Sequence, residues 1–330
     1  MTTFFNPQYS IIYKGFNVHG HPYHLVNASN FPFLVGCYSF VLMVSAVSYM
    51  HFYVGGGVFL LVALLSMILV LSGWWYEVIR EATFEGRHTV AVQAGLRYGM
   101  ILFIVSEIMF FFGFFWAFFH SSLSPAITIG GVWPPPFIDA MSPWGLPFLN
   151  TLILLSSGAS ITWAHYSLVS GVTNFAEDEV VFDLGLYNIL SRVFLALVNL
   201  GVVSNPLALH NLAVKLSSYS SNFNWVVQGF IVTLALGFWF LSLQFKEYVT
   251  APFTLSDSIY GSLFFMLTGF HGFHVLVGVI FLTVCFYRYV SRHFTARHHI
   301  GFEAAIWYWH FVDIVWLGLF CLLYWWGGPL

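Results

Sequence analysis

Residues 97–120 have the sequence RYGMILFIVSEIMFFFGFFWAFFH. A membrane-spanning helix needs about 20 mainly apolar residues, and this stretch is long enough and apolar on every face. Glu107 lies ten residues after Arg97 and thirteen before His120. At about 1.5 Å per helical residue, that position is near the middle of the bilayer. The stretch therefore predicts a transmembrane helix with a carboxyl group at its centre.

The composition of the whole chain indicates a polytopic membrane protein. Of its 330 residues, 7% are charged, 59% are hydrophobic and 21% are aromatic, whereas soluble domains have about 25% charged residues. Ten basic residues and a net charge of -3 exclude a nucleic-acid-binding surface. Cys37, Cys285 and Cys321 lie in apolar runs and lack the spacing of a disulfide scaffold or a cysteine metal site.

Seven stretches have the length and composition of transmembrane helices. They lie at 32–52, 56–79, 97–120, 147–170, 224–245, 258–287 and 302–327. Transmembrane strands would instead alternate in segments of about ten residues. We therefore predict an all-α membrane protein with seven spans.

The basic residues predict how these spans are oriented. Nine of the ten Lys and Arg residues fall in the N-terminal segment and in the loops after the second, fourth and sixth spans, and only Lys246 falls on the other side. Because basic residues collect on the side from which a chain is inserted, we expect the N-terminus inside and the C-terminus outside.

The loop at 171–223 contains a segment, 186–203, that is almost apolar enough to span. Asn188, Arg192 and Asn199 fall on one helical face of it. If this segment spanned, the three arginines after the sixth span would lie outside. An amphipathic helix on the inner interface is therefore favoured over a span or a re-entrant pair.

Ionisable residues within the spans are functional candidates, because a buried charge in a membrane costs several kcal/mol. For Glu107, a proton-responsive carboxyl and a group that only pins helix packing are equally favoured from the residues alone. His271 and His274 are three apart on one helical face, and His310 and Asp313 repeat that spacing. A haem or metal site is one interpretation, and hydrogen bonds between helices are the more frequent one.

The loop after the second span combines aromatic, acidic and basic residues at headgroup level. Trp74 and Trp75 are followed by Glu81, His88 and Arg97. Trp prefers the membrane interface, and basic groups before a helix suit a lipid phosphate. A solvated loop that only sets topology is the alternative.

Long motifs in this chain resemble subunit III of cytochrome c oxidase, the haem–copper terminal oxidase. The resemblance runs from about His21 to Gly328 and includes WWYEVIRE, FEGRHT, LRYGMILFIVSE, FFWAFFHSSLSP, SGASITWAHYSL, EYVTAPFTLSDSIYGSLFFMLTGFHGFHVLVG and FTARHHIGFEAAIWYWHFVDIVWL. Quinol oxidase relatives usually lack the first two helices, so the cytochrome c branch is favoured.

The resemblance implies a two-helix unit and a five-helix bundle, with a V-shaped, phospholipid-filled cleft between helices 1–2 and helices 3–7. It implies that this chain binds no haem and no metal, since haem a, haem a3 and copper belong to subunits I and II. It puts the family's carbodiimide-reactive carboxylate at Glu107. The lipid-headgroup residues that the resemblance implies are Trp74, Trp75, Glu81, His88 and Arg97. The proton-linked residues that it implies are Glu107, Glu81 and His88. Members of this family pack against subunit I and sustain the turnover and proton pumping of the oxidase.

The chain departs from the family pattern at 174–222. Compact members of the family lack this segment, which suggests that it contacts accessory partner subunits.

The predicted segments are 1–30 at the inner side, 31–80 with helices 1–2, 81–173 with helices 3–4, the inserted 174–222 and 223–330 with helices 5–7. The first 30 residues resemble neither a presequence nor a secretory signal. We expect a mitochondrially encoded chain of the inner membrane, with its N-terminus in the matrix and its C-terminus in the intermembrane space, in preference to a bacterial plasma-membrane homologue.

Two rival functions make different predictions. A proton-coupled secondary transporter that used Glu107 and the His pairs would have an internal repeat and broken helices, and the sequence has no such repeat. An integral cytochrome with His271 or His310 as axial ligand would show a haem band in the isolated chain.

Overall fold

The computed structural model describes residues 21–170 and 221–328, with side chains from Asn224 onward in the second range. These ranges contain seven long helices and a short 3-10 turn at Ile127–Ile129. The helices are α1 (Phe31–Met50), α2 (Gly56–Thr83), α3 (Val90–Leu123), α4 (Leu146–Ser170), α5 (Ser221–Thr250), α6 (Ile259–Val290) and α7 (Ile300–Leu319), and α7 continues into a π-helix at Phe320–Trp326.

All seven helices are long and apolar enough to cross a membrane. The predicted all-α class with seven spans is therefore confirmed within the described residues. The predicted bounds of three spans were too narrow, and the first of these helices, α2, continues past residue 79 to Thr83. Helix α3 begins at Val90 and α5 ends at Thr250. Both are longer than predicted because a helix can include polar residues before and after its apolar part. The last span switches to π geometry from Phe320 onward.

The amphipathic helix predicted at 186–203 and most of the inserted segment 174–222 lie outside the described residues, as do the first 20 residues. The described chain divides into two compact units, one that ends at Gly99 and one that begins at Met100. The boundary falls within α3.

The first unit is built on the antiparallel pair α1 and α2. The turn between them depends on two glycines. Gly55 has a φ of +81°, which only glycine adopts without strain, and Gly56 lies so close to α1 that a Cβ would be 2.9 Å from the backbone of Ser48. Small residues let membrane helices approach in this way when no aqueous hydrophobic effect drives them together.

The second unit has a buried core of aromatic and aliphatic side chains shared by α4, α5, α6 and α7. Gly229 of α5 faces α4, where a Cβ would be 2.6 Å from the Ala164 side chain. Ser160 and Thr233 hydrogen-bond between the same helices at 2.7 Å. The Trp309 indole N–H donates to Ser157 at 2.9 Å, so polar groups in this core are paired across helices.

Candidate functional site

Glu107 lies at the centre of α3, seventeen residues after Val90 and sixteen before Leu123. Its Oε2 is 2.7 Å from Nε2 of His274 on α6. The side chain of His274 is 9% exposed and that of Glu107 is 22% exposed. The rings of Phe110 and Phe111 approach His274 to centroid distances of 6.0 and 5.0 Å. The sequence-predicted mid-helix carboxyl is thus one half of a carboxyl–imidazole pair in aromatic surroundings.

The hydrogen bonds of His274 show which of its ring nitrogens carries a proton. Its Nδ1 is 2.6 Å from the Phe270 carbonyl oxygen, which only accepts, so Nδ1 carries a proton. Nε2 then either accepts from a protonated Glu107 or, as imidazolium, donates to the Glu107 carboxylate. Each of these two arrangements places one proton between the side chains and gives the pair no net charge. A neutral pair avoids the cost of an isolated charge among apolar groups.

The other histidines predicted within the spans make hydrogen bonds between helices. His271 is fully buried, and its Nε2 donates to the Val312 carbonyl at 3.2 Å. His310 is bonded through Nε2 to the Thr162 hydroxyl at 3.1 Å, and its Nδ1 is 3.9 Å from Asp313. His271 and His274 share a helical face, as predicted, but they bond to different partners. These contacts match the hydrogen-bonding interpretation of the pairs.

Two of the proposed headgroup residues lie close to a histidine from the segment before α1. Glu81 Oε1 is 4.0 Å from His24 Nε2, and the His24 and His88 rings are 6.4 Å apart between centroids. Thr89 donates to the Pro22 carbonyl and so ties the two segments together. His24 was not singled out in the sequence, because nothing in the pattern of residues 21–30 pairs it with the loop sixty residues later.

The remaining headgroup candidates occupy the two helix ends that flank this loop. Trp75 is 65% exposed near the end of α2, Trp74 beside it is half-buried, and Arg97 is half-buried in the second turn of α3. Between them, Arg80 and Arg87 both pair with Glu85, at 3.2 and 3.4 Å. This salt-bridged turn gives the loop a defined shape.

A third cluster joins α4 to the start of α7. His165 Nε2 is 3.1 Å from His299 Nε2, and His299 Nε2 is 3.3 Å from Glu303. In the part of the chain that the structure describes, these three residues form the one group whose ligand atoms lie close enough, within 4.8 Å, to hold a metal ion. The family resemblance implies no metal in this chain. The i,i+4 spacing of His299 and Glu303 could have pointed to the cluster, whereas the contribution of His165 depends on the fold.

Comparison with known proteins assigns nearly the whole chain to one family. The family model described as cytochrome c oxidase subunit III matches residues 21–214 and 210–328. Nothing in the comparisons supports a transporter.

Curated relatives are similar over almost their full length, and each is named cytochrome c oxidase subunit 3. The protein of Marchantia polymorpha is 48% identical over 93% of this chain and 97% of its own length. That of Arabidopsis thaliana is 47% identical over 93% and 97%, and that of Aepyceros melampus is 46% identical over 93% and 98%.

Proposed function

This chain belongs to the cytochrome c oxidase subunit III family, and we propose that it serves the oxidase as a non-catalytic core subunit. The enzyme is an oxidoreductase of the respiratory chain, and this chain is one of its multi-pass membrane subunits. In the proposed role, subunits I and II hold haem a, haem a3 and copper. This chain packs against subunit I, binds phospholipid and holds an exchangeable proton within the membrane.

The proposed location is the mitochondrial inner membrane, with the N-terminus on the matrix side. The named relatives come from a liverwort, a flowering plant and a mammal, which supports a mitochondrial origin. The asymmetry of the basic residues, nine of ten on one side, supports the orientation. The segment 174–222 is proposed to contact further subunits on the inner side.

The Glu107–His274 pair is the observation that favours a proton-linked role over a purely structural one. A packing contact alone needs no titratable group, whereas this pair joins two titratable side chains by a 2.7 Å hydrogen bond. Glu107 is also partly exposed at the surface of its unit, where a proton or a small apolar reagent can reach it. We therefore assign the proton to the pair and not to Glu107 alone.

A matched pair of variants tests whether Glu107 provides this proton. Glu107→Gln is expected to abolish labelling of the chain by an apolar carbodiimide, which reacts with a protonated carboxyl. Asp257→Asn, in the exposed loop after α5, serves as the control and should leave labelling at the wild-type level. Equal labelling of wild type and Glu107→Gln would show that the reactive carboxyl lies elsewhere.

The headgroup role of the loop between α2 and α3 predicts a loss of bound lipid. Arg97→Gln removes a half-buried cation at this loop, so the purified oxidase should retain fewer phospholipids than the wild-type complex. Native mass spectrometry counts the retained lipids directly. Arg80→Gln is the control, because the Arg80 side chain is 51% exposed and already paired with Glu85. Equal lipid counts in wild type and Arg97→Gln would refute this assignment.

A further inference from the structure

A second buried carboxyl lies in the second unit, at the end of the helix bundle where α4 begins and where α5 and the π-helix after α7 end. Glu247 of α5 is fully buried, and Gln244 one turn earlier is 4% exposed. Asn150 of α4 is fully buried and Tyr324 of the π-helix is 1% exposed. We call these four residues the Glu247 cluster.

The Glu247 cluster has more polar atoms than internal hydrogen bonds. The Asn150 amide N–H donates to Gln244 Oε1 at 3.4 Å. Among the described residues, five further buried atoms of the cluster make no hydrogen bond of normal length and angle: both Glu247 carboxyl oxygens, Asn150 Oδ1, Gln244 Nε2 and the Tyr324 hydroxyl. The Tyr324 hydroxyl is nevertheless close enough to the Glu247 and Gln244 side chains to interact with both. Buried polar groups are nearly always paired in folded proteins, so five such atoms together indicate a ligand.

The π-helix explains how Tyr324 reaches this position. A wider turn at Phe320–Trp326 shifts the register of side chains relative to α7, and the Tyr324 phenol lies within reach of the Glu247 and Gln244 side chains. Helical π segments are uncommon and are frequently found at functional sites.

The chemistry of the five atoms selects the ligand. The Gln244 amide N–H and the Tyr324 hydroxyl can donate, whereas Asn150 Oδ1 and the carboxyl oxygens can accept. A metal cation would leave the donors unsatisfied and an anion would leave the acceptors unsatisfied. Water both donates and accepts, and a buried water typically makes about three hydrogen bonds to groups of this kind.

The surroundings of Glu247 favour the protonated carboxyl. The titratable groups facing it are the phenols of Tyr248, Tyr260 and Tyr324, and the neighbouring Lys246 side chain is exposed. Since no cation faces it among the described residues, an ionised carboxylate in this buried position would be strongly disfavoured. Glu247 is three residues, or about 4.5 Å along the helix axis, from the exposed Thr250 that ends α5.

We propose that the Glu247 cluster binds a small group of water molecules that hydrogen-bond to a protonated Glu247 and let its proton exchange with solvent. The site is separate from the Glu107–His274 pair, since it is built from α4, α5 and the π-helix, whereas the pair joins α3 and α6. It gives the chain a second, hydrated carboxylic acid near one end of the bundle.

Infrared difference spectroscopy on the purified, assembled oxidase tests this proposal. The wild-type minus Glu247→Gln spectrum should contain a carboxylic C=O stretching band at the lowered frequency of a hydrogen-bonded acid, and that band should shift in D2O. It should also contain a water O–H band that shifts in oxygen-18 water. Tyr324→Phe should keep the C=O band but raise its frequency, since one donor is lost.

Asp257→Asn removes an exposed carboxyl from the loop after α5 and should change neither band. Glu247→Gln conserves size, and recovery of the oxidase with normal haem absorption shows that the variant has assembled. Absence of a carboxylic band from the wild-type minus Glu247→Gln spectrum would overturn the proposal, because Glu247 would then be ionised. A band at the frequency of a free acid, unmoved by D2O, would also overturn it, because the cluster would then be dry.

Discussion

Glu107→Ala is expected to make the assembled oxidase lose activity during turnover several-fold faster than wild type and to pump fewer protons per electron. The alanine removes the shared proton and leaves Nε2 of His274 buried without a partner, a loss that costs about 1–3 kcal/mol. Oxygen consumption driven by cytochrome c, followed over many turnovers, measures the decay, and proton release from vesicles reconstituted with the complex measures pumping. The haem spectra should stay unchanged, since the chain is proposed to hold no redox centre.

Glu107→Gln separates a proton-linked role from a packing role at the same position. The glutamine amide can donate to His274 Nε2, so the contact between α3 and α6 is kept while the exchangeable proton is lost. We expect Glu107→Gln to inactivate as fast as Glu107→Ala, with unchanged lipid occupancy. Wild-type kinetics in Glu107→Gln together with a defect in Glu107→Ala would identify Glu107 as a packing residue. A lost haem or copper signal in an assembled complex would contradict the proposed non-catalytic role.

Gly229→Ala is expected to lower the stability of the second unit. The new Cβ would lie 2.6 Å from the Ala164 side chain and 2.8 Å from the Ser160 carbonyl oxygen. Relief requires α4 and α5 to move apart, and overpacking of this kind typically costs about 1–3 kcal/mol. The amount of assembled oxidase and its thermal inactivation temperature should both fall.

Gly272→Ala on α6 is the matched control, because a Cβ there meets nothing within 4 Å among the described residues. Alanine favours a helix over glycine by about 1 kcal/mol, so this control should be neutral or slightly stabilising. If Gly229→Ala were as stable as Gly272→Ala, close packing between α4 and α5 would not be a determinant of this fold.

The membrane fold could be predicted from the sequence because each span is long, apolar and nearly free of charge. Glu107 could be predicted as a candidate site because it is a carboxyl far from either end of an apolar run. Its partner was less certain. His271 and His274 are equivalent in the pattern GFHGFH, and only the packing of α6 against α3 and α7 directs one to Glu107 and the other to the Val312 carbonyl.

Other features of the candidate sites depend on contacts that no local pattern encodes. His24 reaches Glu81 from the segment before α1, and His165 meets His299 across 134 residues of sequence. Glu247 was missed for a different reason. The predicted fifth span stopped at residue 245, since its apolar run ends before Lys246, and the structure continues α5 to Thr250 and buries Glu247. A prediction from hydropathy ends a span where the apolar residues end, whereas neighbouring helices can bury polar residues beyond that point.

Purification through a tag on this chain, in mild detergent, tests whether the chain is a subunit of the oxidase and holds no redox centre itself. A reduced-minus-oxidised spectrum and a cytochrome c-driven oxygen assay on the complex would be followed by the same spectrum on the chain after dissociation. We expect an a-type haem signal and oxygen uptake in the complex and no haem band in the isolated chain. A haem band in the isolated chain, or a colourless and inactive preparation containing this chain alone, would contradict it.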